Sequence, residues 1–102
     1  MLRPYQKAYL KSLANTISHR YLLGKGEVDE GFLKEINAAL EAKELIKVGL
    51  LPNSASKPKE VGSALEQALG CDVVQVIGRV IVLYRRSVKN PKIVVPTREK
   101  EK

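Results

Sequence analysis

Helix-like and strand-like periodicities alternate along this chain, then give way to two β-branched runs around Gly78-Arg79. That order predicts a compact α/β domain, α-β-α-β-α-β-β, with three helices and a mixed sheet of about four strands. Strands that alternate with helices imply parallel crossovers, and a closing hairpin adds an antiparallel pair. At 102 residues and 44% hydrophobic content, the chain is one domain long and can bury a core without staples. It shows no internal repeat and no second domain.

Each element follows from its own signals. Residues 4–18 read as a helix: Ala8, Leu10, Leu13, Ala14 and Ile17 recur at near-helical spacing, and Pro4 suits the first turn. Residues 20–23 read as a short strand, and Gly24 to Val28 as the turn after it. Asp29 is a good N-cap for a helix over 30–43, whose buried stripe is Phe32, Leu33, Ile36, Ala39 and Leu40. Leu45 to Leu51 is a strand, and Pro52 to Ser56 a loop. Pro58 opens a third helix with Val61, Ala64, Leu65, Ala68 and Leu69 on one face and Gly70 just past its end. The stretch "DVVQVIGRVIVLYRR" is a hairpin, with Gly78 placed for a type II′ turn. Residues 1–86 form the domain. Residues 87–102 are a basic C-terminal extension, partly disordered, in which "KIVV" at 92–95 can add a short edge strand.

Composition narrows the function. The net charge is +7, carried by 18 basic against 11 acidic residues. Residues 1–25 hold five basic residues and no acidic one, residues 26–78 five basic and nine acidic, and residues 79–102 eight basic and two acidic. If the two basic ends meet in the fold, they make the cationic face expected of a phosphate-backbone binder. Arg3, Lys7 and Lys11 recur every four residues and share a stripe without an acidic partner. Cys71 is alone and cannot form an internal disulfide, and one Cys with one His cannot build a zinc site. No apolar run reaches membrane length, and nothing reads as a signal peptide, so a cytoplasmic protein is expected. No nucleophile–base pair, metal spacing or dinucleotide loop points to an enzyme, a cofactor or a small-molecule substrate.

The stretch "LLGKGEVDEGF" at 22–32 carries the sharpest chemistry. Glycines between a strand and a helix bare their backbone N–H groups near a helix N-terminus, where an anion is favoured. Without a Cβ a phosphate can come close, and Lys25 between Gly24 and Gly26 adds a cation. The spacing is not that of a nucleotide-binding P-loop; it is nearer to the GXXG loop with which KH modules clamp a nucleic-acid backbone. Here the fourth residue is Glu27.

With these residues in place, the chain resembles the CRM-domain family (chloroplast RNA splicing and ribosome maturation), in its bacterial single-domain, YhbY-like form. The resemblance covers about residues 2–86. It rests on "QKAYLKSLA" at 6–14, "LGKGEV" at 23–28, "ALEAKELIKV" at 39–48 and "VVQVIGRVIVLYR" at 73–85. It implies a fold similar to the C-terminal domain of translation initiation factor three. It also implies RNA binding through the glycine-rich loop and neighbouring basic surface, on precursors of the large ribosomal subunit. Two positions depart from the family pattern: Glu27 stands where Gly is usual, and Ala14-Asn15 where Ala-His is frequent.

The expected contacts to RNA are therefore Gly24, Lys25 and Gly26 in the loop, with Arg3, Lys7, Lys11, Arg20, Arg79, Arg85 and Arg86 extending the track. Two readings compete. One is a small chromatin-like protein that binds duplex DNA nonspecifically as a dimer; the other is a protein adaptor working through the acidic middle. A preference for structured RNA and a steep loss of affinity with salt separate the first reading from both.

Overall fold

A computed structural model of the chain describes residues 2–24, 28–52 and 56–96. Its elements are α1 (Pro4–Ala14), β1 (Tyr21–Leu23), α2 (Glu30–Lys43), β2 (Leu45–Leu50), α3 (Pro58–Leu69), β3 (Asp72–Ile77) and β4 (Val80–Tyr84). The α-β-α-β-α-β-β order is the one expected. α1 stops four residues earlier than its apolar spacing suggests. There the Thr16 backbone N–H and hydroxyl both donate to the Leu13 carbonyl, at 3.1 and 2.7 Å, which turns the chain. Asp29 caps α2 as expected, its Oδ1 accepting the Phe32 N–H at 2.8 Å. Gly70 ends α3 in the left-handed conformation, at φ +65°.

The strand order is β1-β2-β4-β3. β1 runs parallel to β2, and β4 lies antiparallel between β2 and β3. In the turn between β3 and β4, Gly78 has φ +56° while Arg79 keeps the ordinary sign, as type II′ requires. Between Val73 and Gln75 the register of β3 slips by one residue against β4, a β-bulge at Val74.

Two layers cover the sheet. α2 and α3 pack on one face over Leu23, Ile46, Val48, Leu50, Ile81 and Leu83. α1 packs on the other, where Leu10 and Ala14 meet Leu45, Val74, Val82 and Tyr84. β2 lies beneath both layers, so its alternate residues serve opposite cores. Each fully buried Leu or Ile, such as Leu10, Ile36 or Leu83, contributes about 1.5–3 kcal/mol by leaving water.

The chain after β4 forms a strap. Residues 92–95 join no strand of the sheet, and the first two of their donors are taken elsewhere: the Lys92 and Ile93 N–H groups both donate to Glu44 Oε1 at 2.7 Å. Glu44 Oε2 accepts the Ser87 N–H at 2.9 Å. Glu41 accepts the Ser87 hydroxyl and the Val88 and Lys89 N–H groups. Beyond this clamp, Ile93 and Val95 pack against the core on the α1 side, as Leu2, Leu13 and Ile17 do. Gln6 Nε2 donates to the Pro96 carbonyl at 3.0 Å, so the two basic ends of the chain meet.

The clamp is also an electrostatic site. A hydrogen bond from Ser87, with those from Val88 and Lys89, lowers the Glu41 carboxyl to about 2. Burial opposes ionisation of Glu44, but the Ser87, Ile93 and Lys92 donors outweigh it and hold that carboxyl below its ordinary value. Glu44 caps α2 at φ +68° and ψ −44°, a backbone strain that the three donors help to hold in place.

Candidate nucleic-acid interface

The parallel strands β1 and β2 end together. The Leu51 N–H donates to the Leu23 carbonyl at 3.0 Å, and the Leu50 N–H to the Arg79 carbonyl at 2.8 Å. Arg79 returns from the hairpin tip, its Nε and Nη2 donating to the carbonyls of Leu50 and Leu51 at 3.2 and 2.8 Å. A Cβ on Gly24 would stand 3.5 Å from Leu51 Cδ1. Gly24 and Arg79 are thus brought to one end of the sheet, the end from which α2 and α3 start. Lys25 and Gly26, with Glu27, lie outside the described residues. Beside this end, Lys57, Pro58, Lys59, Glu60, Val76 and Gly78 line a groove of about 480 Å³.

Charge is sorted by layer. α1 and the chain around it, residues 2–24, hold no carboxylate side chain, and neither does the strap over 85–96. The carboxylates among the described residues belong to α2, α3 and their caps, with Asp72 at the start of β3 the exception. Arg3, Lys7 and Lys11 therefore stand on a segment without carboxylates of its own. Arg20 continues it: Arg20 Cδ passes 3.5 Å from where a Cβ of Gly49 would be, so its stem crosses β2.

The expected contact set does not stay together. Arg85 and Arg86 follow β4, which separates them from Arg79 by a strand length, about 17 Å. Arg85 is committed to packing: Nη1 donates to Asn37 Oδ1 at 2.7 Å and to the Leu69 carbonyl at 3.0 Å, and Nη2 to the Asn37 carbonyl at 3.1 Å. It ties the end of α3 to α2. Arg86 is exposed and lines a cavity of about 600 Å³ with Gln6, Asp72, Tyr84 and the strap. The two basic ends meet at this end of the sheet, not around Gly24.

Sequence reasoning missed Lys47, Lys57 and Lys59. A regional count hides them in the acidic middle, yet Lys47 alternates with apolar residues in β2, and that marks it as facing the α1 layer. Tyr21 is occupied, with His19 edge-on at 4.7 Å and Lys43 Nζ 5.8 Å from its ring centroid. Burial pushes the Cys71 thiol up to about 11, so at neutral pH it is not a thiolate. Among the described residues, no group of three His, Cys, Asp or Glu is placed to hold a metal, and no helix is long and apolar enough to cross a membrane.

The family model described as the CRS1 / YhbY (CRM) domain matches residues 2–85. The chain is 41% identical over 96 residues to the "Probable RNA-binding protein YqeI" of Bacillus subtilis, spanning 94% of this chain and 100% of that one. It is 36% identical to an "RNA-binding protein" of Haemophilus influenzae, over 89% of this chain and 91% of the other. Among solved structures, the solution structure of the hypothetical protein SAV1595 from Staphylococcus aureus superposes with a TM-score of 0.77 at 44% identity. That match covers 94% of this chain and 100% of the other.

Proposed function

Because the chain belongs to the CRS1/YhbY (CRM) domain family, we propose that it is a non-enzymatic RNA-binding protein acting in the cytoplasm on precursors of the large ribosomal subunit. The observation that carries this reading is the sorting of charge by layer. A helix and a strap that together hold no carboxylate lie over one face of the sheet, and among the described residues the acidic side chains belong to α2, α3 and their caps, apart from Asp72. A polyanion can lie along α1 without meeting a carboxylate of that helix.

In this reading the backbone N–H groups of the Gly24–Gly26 loop and the Lys25 ammonium grip one phosphate. Lys7, Lys11 and Arg20 extend the grip along α1, and Arg79 adds a cation at the loop end. Ordered phosphate contacts fix the register of the RNA, and counterion release supplies much of the affinity.

The test is salt-dependent binding to a structured ribosomal RNA fragment. Lys25→Ala should weaken binding uniformly across sequences and lower the salt slope by about one unit. Glu27→Gly should tighten binding, since a carboxylate is removed from the phosphate site. An unchanged slope removes Lys25 from the contact set, and equal affinity for duplex DNA overturns the RNA reading. Gradient sedimentation of a tagged chain tests the ribosomal part: it should travel with large-subunit precursors, and recovery only in the free fraction overturns that part.

A further inference from the structure

α1 is too short to cover its face of the sheet. Its last buried residue, Ala14, reaches Val82, and beyond it the sheet is open. Leu22 and Ile77 on this side are 56% and 57% exposed. Between the end of α1 and the sheet lies a cavity of about 120 Å³, lined by Ala14, Asn15, Arg20, Lys47, Gln75 and the apolar side chains of Ile77, Val80 and Val82. The bulge at Val74 turns both Val74 and Gln75 toward α1, which delivers the Gln75 amide into this cavity.

Three properties say what fits. The floor is apolar and flat, as a pleated sheet is. The rim carries two cations, Arg20 and Lys47, and no carboxylate lines the cavity. The side chains of Asn15, Arg20, Lys47 and Gln75 make no hydrogen bond among the described residues. Two amides offer paired donors and acceptors, which match the edge of a heterocycle. The cations match a phosphate.

We propose that this cavity is a slot for one unpaired nucleotide of RNA. The base lies on Ile77, Val80 and Val82, with its edge toward the Asn15 and Gln75 amides, and its phosphate sits between Arg20 and Lys47. The proposal rests on the RNA-binding reading above and adds a discriminating step to it. The phosphate track binds any backbone, whereas the slot accepts only a base that is out of the stack.

Two labelled RNA hairpins test it, each closed by a non-nucleotide linker so that neither has loop bases, and identical except that one carries a single bulged nucleotide. The wild-type chain should bind the bulged hairpin about tenfold more tightly. The double variant Asn15→Ala/Gln75→Ala should lose that preference while keeping its affinity for the perfect hairpin and its salt slope. In the wild type, the side-chain amide NMR signals of both residues should shift on adding bulged RNA and not on adding perfect RNA. Equal wild-type affinity for the two hairpins overturns the slot and leaves general RNA binding standing. So does a double variant that keeps its preference, or one that loses affinity for both. Failure of the wild type to bind either hairpin overturns both readings.

Discussion

The two ends of the sheet use their charged groups in opposite ways. At the strap end, Glu41 and Glu44 accept six hydrogen bonds from residues 87–93. There too, Arg85 is tied to Asn37 and Leu69. At the loop end, Lys57 and Lys59 border an open groove, and Arg79 Nε and Nη2 donate to the carbonyls of Leu50 and Leu51. A net charge of +7 therefore says little until the groups spent on holding the fold are separated from those left facing outward. Lys57 and Arg85 fall on different sides of that division: one borders a groove and the other is tied into the fold.

The largest effect should come from the strap end. Glu44→Ala leaves three backbone N–H donors without their acceptor and should cost about 3 kcal/mol or more in urea unfolding. Glu44→Gly loses the same acceptor but relieves the positive φ, and should cost about 1 kcal/mol less. Equal losses for the two variants would mean that the backbone at Glu44 stores no strain. Next is the arginine pair. Arg85→Ala should cost about 1–2 kcal/mol of stability and leave the salt slope of RNA binding unchanged. Arg79→Ala should lower that slope by about one unit. The reverse pattern would break the division between the two ends.

Acid gives the smallest and most gradual change. The carboxyls of Glu41 and Glu44 bind protons less readily in the folded chain than in the unfolded one. Their contribution is thus complete above the ordinary value of 4.5 and lost as pH falls, for Glu41 through about 2. The urea midpoint should decline over that window, and Glu41→Gln should flatten the decline. An unaltered decline in the variant would remove Glu41 from the clamp.

The fold was legible because its signals are local. Asp29 before an apolar stripe, Pro58 at a first turn, and Gly78 between β-branched runs each act within a few residues, and they placed α2, α3 and the hairpin. What escaped is nonlocal. A glutamate at the end of a helix reads as solvated, and nothing nearby announces that the backbone of residues 87–93 will come to Glu44. The end of α1 depended on Thr16 competing for the Leu13 carbonyl, which apolar spacing does not register. For the candidate site, charge counting found the basic layer. It could not show that Arg85 would be tied to Asn37 and Leu69, because those partners come near only after folding.

The bulge at Val74 has a second effect, on solution behaviour. β3 is an outer strand, and a straight outer strand offers a row of backbone groups onto which another chain can add. The extra residue breaks the spacing of that row, and Glu66 Oε2 occupies the Val73 N–H at 2.9 Å. Irregularity and a carboxylate together make this edge a poorer template for a second strand, with no need for additional positive charge there.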